Sequence, residues 1–266
     1  VAVYRAGLSL LAGDLPAAAA HAGRARSLFA PEDHLGRGSS AALVGLAQWG
    51  EGDLGAAAVS YSDAVSSLAR AGHLSDALGC SLALADIELA QGRLAAAEAT
   101  LDAGLRLAAD QPGMRGSADM HVALSEVYFE RDDIVGAADH LDAALALGEH
   151  AGLPQHPYRW RVAAARLRAA EGATDAALVL LAEAARVCDN DFSPPVRPVA
   201  AVEARLRIAI GDLASADRWV RASGTSADDD TSYLGEYEHV TLARLLLERK
   251  DPGALALVDR LLDSAA

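Results

Sequence analysis

A short turn recurs along this chain at a nearly fixed interval, and no other feature constrains its fold as strongly. Gly13-Asp14-Leu15, Gly52-Asp53-Leu54 and Gly211-Asp212-Leu213 share one form. Gly92-Arg93-Leu94, Asp132-Asp133-Ile134 and Gly172-Ala173-Thr174 are variants, and Asp251-Pro252-Gly253 is the weakest copy. The steps between their first residues are 39, 40, 40, 40, 39 and 40. A period of this length marks a stack of helix pairs, because one pair alone cannot bury its apolar face. In such a turn Gly takes the left-handed conformation that ends one helix. Asp then caps the free N–H groups of the next.

Small residues follow the turns at a fixed offset. Ala57, Tyr61 and Ala64 form the pattern A-x-x-x-Y-x-x-A, and Ala137, Leu141, Ala144 and Ala177, Leu181, Ala184 repeat it. Positions i, i+4 and i+7 share one helix face. Alanine lets two helices approach closely, and the larger residue fills the gap between repeats. Aromatic residues make up only 5% of the chain, which suits packed Ala- and Leu-rich helices and opposes a β-sandwich.

The spacing predicts an all-α solenoid of about seven helix pairs, one domain over 1–266. The pairs run over Val1–Phe29, Ser39–Arg70, Ser75–Ala109, Ser117–His150, Tyr158–Asp189, Val199–Ala222 and Ser232–Ser264. The intervening linkers are Ala30–Gly38, Ala71–Leu74, Asp110–Gly116, Ala151–Pro157, Asp189–Pro198 and Ser223–Thr231, all holding helix breakers.

The A-x-x-x-aromatic-x-x-A pattern after a short turn resembles the second helix of a tetratricopeptide repeat, whose usual period is about 34 residues. Three C-terminal segments carry a closer likeness: HPYRWRVAAARLRAAEG (His156–Gly172), DFSPPVRPVAAVEARLRIAIGDL (Asp191–Leu213) and SADDDTSYLGEYEHVTLARLLLE (Ser226–Glu248). Together they resemble the sensor region of the large ATP-dependent LuxR-type, MalT-like transcriptional activators. That family places a nucleotide-binding switch before the repeats and a helix-turn-helix domain after them. This sequence contains no G-x-x-x-x-G-K-[ST] loop, and Lys250 is its only lysine. Its last residues, DRLLDSAA, leave no room for a DNA-binding domain. The resemblance therefore implies a sensor segment of a longer regulator, with ATP and DNA handled by attached domains. Its partner would be a small-molecule effector or a regulatory protein.

The formal net charge of -14 opposes direct nucleic-acid binding by this segment, which needs a basic footprint. No apolar run reaches membrane-spanning length and no signal peptide is visible, so a cytoplasmic, non-membrane location is expected. Cys80 and Cys188 make no metal or disulfide spacing and read as two buried thiols. Enzyme chemistry is not expected. There is no G-x-S-x-G elbow. His121 and His140 lie too far apart for a short zinc motif, and nothing completes a set around His150 and His156. No cofactor is expected in this chain.

Candidate groove residues cluster late in the sequence. Arg159, Arg161, Arg166 and Arg168 share one helix, the first of its pair, with no acid among them. Arg159 and Arg166 project from one side; Arg161 and Arg168 form a second, offset pair. In tetratricopeptide superhelices the first helices line the concave groove. Two readings are open: a ligand groove, or a salt-bridged face served by Glu171, Glu183 and Glu203. Arg197 and Arg205 come one repeat later. Tyr158 and Trp160 border the cluster, where an aromatic ring beside Arg can grip a ligand or pack the core. Trp49 and Trp219 read as packing residues. Asp228, Asp229, Asp230, Glu236 and Glu238 form an acidic cluster that engages the arginines of the preceding pair or faces a neighbouring domain, unless Asp228 to Asp230 simply cap a helix beginning near Ser232. Tyr233, Tyr237 and His239 lie on the same segment.

Two functions follow, a sensor of a small effector and a scaffold for a peptide or helix. A scaffold needs an open continuous channel; a sensor needs a pocket with converging polar groups.

Overall fold

The computed structural model describes residues 1–111, 113–188 and 193–264. Among them the chain is all-helical, with fourteen α-helices, one short 3-10 turn and no strand. The pairs are α1 (Ala2–Leu11) with α2 (Leu15–Leu28), α3 (His34–Glu51) with α4 (Leu54–Arg70), and α5 (Leu74–Ala90) with α6 (Leu94–Ala108). They continue as α7 (Ser117–Glu130) with α8 (Ile134–Leu147), α9 (His156–Ala170) with α10 (Thr174–Val187), α11 (Val199–Ala209) with α12 (Leu213–Ser223), and α13 (Glu236–Glu248) with α14 (Gly253–Ser264). Each helix packs on the next in the chain.

The recurrent turn works as its residues predict. Gly13, Gly52, Gly92, Gly172 and Gly211 all have positive φ. Asp14, Asp53, Asp133 and Asp212 each accept a hydrogen bond from the backbone N–H three residues on, at 2.9–3.1 Å. Asp132 and Lys250 take the left-handed position that Gly fills elsewhere. The last turn is therefore Lys250-Asp251-Pro252, one residue earlier than the sequence reading placed it, with Asp251 accepting from the Gly253 N–H.

The second helices carry the alanine pattern inward. Ala57, Ala64, Ala137, Ala144, Ala177 and Ala184 expose no surface, and Tyr61, Leu141 and Leu181 are buried between them. The first helices form the other layer, in contact with one another at α1–α3, α5–α7, α7–α9 and α11–α13. Some boundaries differ from the sequence reading. α3 begins at His34 rather than Ser39, because Asp33 accepts from the Gly36 N–H and starts the helix inside the expected linker. α9 begins at His156, with a proline in its first turn. α13 begins at Glu236 rather than Ser232. The expected end of the fifth pair, Asp189, lies outside the described residues, as do Asp191 and Phe192 of the second resemblance segment.

The stack curls until two late linkers reach its second and third pairs. Val196, from the linker before α11, and Tyr233, from the linker before α13, both pack on the cluster containing Trp49, Tyr61, Leu84 and Ile87. Trp49 Nε1 donates to the Tyr233 hydroxyl at 3.0 Å, across 184 residues of sequence. A Cβ on Gly52 would meet Tyr233 Cβ at 2.9 Å, whereas one on Gly211 would meet nothing within 4 Å. Both glycines have positive φ, so alanine at either costs about 1 kcal/mol in the backbone. Gly52→Ala is expected to cost more, and to change tryptophan fluorescence, because Tyr233 must move. Equal melting temperatures for Gly52→Ala and Gly211→Ala would show that the Tyr233 contact carries no weight.

Candidate functional site

Where the curl closes, the first helices surround a half-open cavity of about 490 Å3, a volume ordinary for a small-ligand site. Trp49 of α3, Asp86 and Leu89 of α5, and Glu126 and Glu130 of α7 line one side. Tyr158, Arg159, Val162 and Arg166 of α9 line the other, with Val202 and Arg205 of α11 and Glu236, Tyr237 and Val240 of α13. Ser193 to Arg197 and Tyr233 fill part of the space between. A lobe of about 230 Å3 continues past Gly92 and Leu94, sharing Glu126, Glu130 and Arg197.

Helical periodicity splits the four arginines of α9 between two environments. Arg159 and Arg166 line the cavity. Arg161 lies against α10, with Nε 3.4 Å from Glu183 and Nη1 donating to the Pro157 carbonyl, and Arg168 pairs with Glu171 at the surface. Arg161 and Arg168 thus form the salt-bridged face, and Arg161, expected in the groove, lies outside the cavity lining. The inward pair is also charge-matched, by carboxylates the sequence reading did not select. Arg159 donates to both Asp86 oxygens at 2.6 and 2.8 Å and lies 3.7 Å from Glu126. Asp86 and Glu126 outweigh the effect of its burial and raise its pKa well above the usual arginine range. Arg166 donates to Glu130 at 2.7 Å and lies over the Phe129 ring. Arg197 is 3.5 Å from Glu126.

Arg205 differs from these. Its Nε donates to Thr241 Oγ1 at 2.9 Å, its Nη2 donates to the Tyr237 carbonyl at 3.2 Å, and its guanidinium lies 3.5 Å from the Tyr237 ring centroid. Among the described residues no carboxylate pairs with it. Burial first, then the charges of Arg244, Arg197 and Arg166, push its pKa below the ordinary arginine value against the opposing influence of Tyr237.

The remaining candidates divide in the same way. Tyr158, Tyr233 and exposed Glu236 line the cavity. Burial is the main reason the Tyr233 phenol is raised above its usual pKa. Glu238 and His239 are not in the lining. His239 is buried and turned back on its own helix start, with Nδ1 2.9 Å from the Gly235 carbonyl. The acidic run caps no helix: Asp229 accepts from the Ser226 N–H and closes a turn ahead of α13. Trp160 packs in the core and donates to the Leu141 carbonyl. Cys80 is buried, with its thiol pushed up to about 12 chiefly by desolvation. Cys188 is exposed, contrary to expectation, because it lies just past the end of α10.

His121 and His140, far apart in sequence, meet across α7 and α8 with their Nδ1 atoms 3.1 Å apart. One ring must donate and the other accept, so the contact needs at least one neutral imidazole. Burial, the largest cause, lowers both pKa values; His140 lowers His121 further, while Asp102 opposes the shift at both. The unfolded chain then binds protons more readily than the folded one. Stability is full above the ordinary histidine pKa and falls as pH drops through it. The melting temperature is expected to decline from pH 7 to pH 5 more steeply than in His140→Gln, and parallel profiles would contradict this. Among the described residues no three His, Cys, Asp or Glu side chains converge to hold a metal, and no helix is long and apolar enough to cross a membrane.

Comparison with known proteins now places the chain. The family model described as the MalT-like TPR region matches residues 1–266. The chain belongs to the MalT-like TPR region family. No curated protein sequence matches it. Among solved structures, it resembles the Rap conjugation gene regulator of plasmid pLS20 in complex with the Phr* peptide, at TM-score 0.68 and 12% identity over 99% of this chain and 72% of that one. The apo form of RapI gives TM-score 0.67 and 12% identity over 99% and 96% of the two chains. A tetratricopeptide repeat protein from Parabacteroides merdae gives 0.57 and 16% over 98% and 91%. At these identities the likeness speaks for the fold alone. This MalT-like TPR chain is thus a helical repeat module of the sensing or protein-interaction type.

Proposed function

We propose that this MalT-like TPR chain is the effector-binding sensor segment of a bacterial transcriptional regulator, acting on attached nucleotide-binding and DNA-binding modules. The observation that carries the reading is the cavity itself. Tyr233 and the linker at 193–197 interrupt the concave face, and polar groups from six first helices or their linkers converge on what remains. A small molecule held there touches repeats far apart in sequence, and so biases the curvature of the whole stack. The attached modules supply the second site that allosteric coupling requires. Binding, not catalysis, is the role assigned, and no cofactor enters it.

The alternative partner is a peptide or a regulatory protein. The Rap regulator of similar fold was solved with a peptide, but an extended peptide along this concave face must first displace Tyr233 and the linker. A thermal-shift screen against sugars, short peptides and small carboxylates tests the reading, with calorimetry of each hit. A saturable small-molecule hit weakened by Arg166→Ala is expected. Response to peptides alone, or to nothing while the protein is well folded, overturns it.

A further inference from the structure

Among the described residues, one arginine of the cavity lining, Arg205, has no carboxylate partner. Arg159, Arg166 and Arg197 each have a carboxylate within 3.5 Å. Arg205 hydrogen-bonds two neutral groups among the described residues, the Thr241 hydroxyl and the Tyr237 carbonyl. These engage two of the five N–H donors of a guanidinium. Its other nitrogen is not buried without a partner, and the residue lines the cavity, so donors remain for a ligand. Glu236, an exposed carboxylate of the same lining, is not among its partners in the described residues. Asp86, Glu126 and Glu130 match the other three arginines, so the attraction for an incoming anion comes from the half-buried Arg205 guanidinium at short range and not from a net charge of the cavity.

The geometry around Arg205 narrows the class further. The Tyr237 ring 3.5 Å from the guanidinium and the bonds from Nε and Nη2 hold the group in place, which leaves the Nη1 donors for a carboxylate, the acceptor that a guanidinium suits best. Tyr158, Tyr233, Val202 and Val240 supply aromatic and apolar walls. An inorganic ion would leave those walls in water, whereas an organic acid covers them. We propose that the cavity selects a small organic carboxylate, and that Arg205 receives its carboxylate group. This rests on the small-molecule reading of the same cavity.

The test is calorimetry with small aliphatic and aromatic carboxylates, namely succinate, benzoate, phenylacetate and indole-3-acetate, each beside its neutral amide, with maltose and inorganic phosphate as controls. At least one acid is expected to bind at millimolar concentration or better, and its amide to bind about tenfold more weakly or worse. Arg205→Gln should lose a similar factor and Arg205→Lys less, because lysine keeps the charge without the fork. Arg168→Gln, outside the cavity, should bind as the parent does. Should Arg205→Gln fail to fold, the acid–amide comparison in the parent protein still decides. Maltose binding undiminished by Arg205→Gln overturns this inference and leaves the small-molecule reading intact. So does phosphate binding in preference to every organic acid, or an acid and its amide binding alike. Failure of every compound to bind overturns both.

Discussion

Replacing Arg159 with Met is expected to lower stability by about 3 kcal/mol, the low end for breaking a buried ion pair. The arginine side chain is 13% exposed, and Asp86 and Glu126 are 19% and 16% exposed. Methionine fills much of the space of the stem, so most of the loss comes from two carboxylates left in a poorly solvated wall. Arg197 stays within reach of Glu126, but nothing replaces the paired donors on Asp86. Chemical denaturation of Arg159→Met, Asp86→Asn and the double variant measures the effect. The double variant should recover part of the loss, because asparagine carries no charge to strand. A cost below about 1 kcal/mol in Arg159→Met, the range of exposed pairs, would mean that water reaches this pair freely.

The second large effect is expected in the middle of the stack. Leu78→Ala should cost about 3 kcal/mol, the transfer of the lost methyl groups plus the cavity they leave. Leu78 is fully buried in the cluster formed with Leu82, Leu101, Met120 and Leu124. It lies where a Cβ on Gly116 would come within 2.9 Å, and Gly116 has φ +104. The Gly116 backbone thus passes close to Leu78, and a turn held at that φ has little freedom to settle into the hole. Leu145→Ala, at a position 62% exposed, should stay within about 0.5 kcal/mol. Similar losses in both variants would mean that the central cluster relaxes around the deletion.

The periodic parts of this molecule were legible before any coordinates. A left-handed residue followed by a capping aspartate is a local requirement, met by residues next to one another in the chain. The alanine positions are nearly as local, since i, i+4 and i+7 share a face in any helix. The misplaced starts of α3 and α13 show the limit even here. Asp33 capped a helix through two glycines, while Ser232 lies ahead of the residues that begin α13.

The site was legible only in part. Helix geometry separated Arg159 and Arg166 from Arg161 and Arg168, but it did not say which pair faces inward. Asp86, 73 residues before Arg159, gave no signal, because a single aspartate on an apolar helix reads as an ordinary surface residue. His121 and His140 were set aside on sequence spacing, although α7 and α8 bring them together. Sequence alone determined the repeat, the helix pairs and the buried faces, because those depend on neighbours within one or two turns. The tertiary structure decided which arginines meet carboxylates, that Tyr233 closes on Trp49, and that Arg205 is left with neutral partners. Those contacts depend on the curvature of the stack, the accumulated sum of small rotations from one repeat to the next.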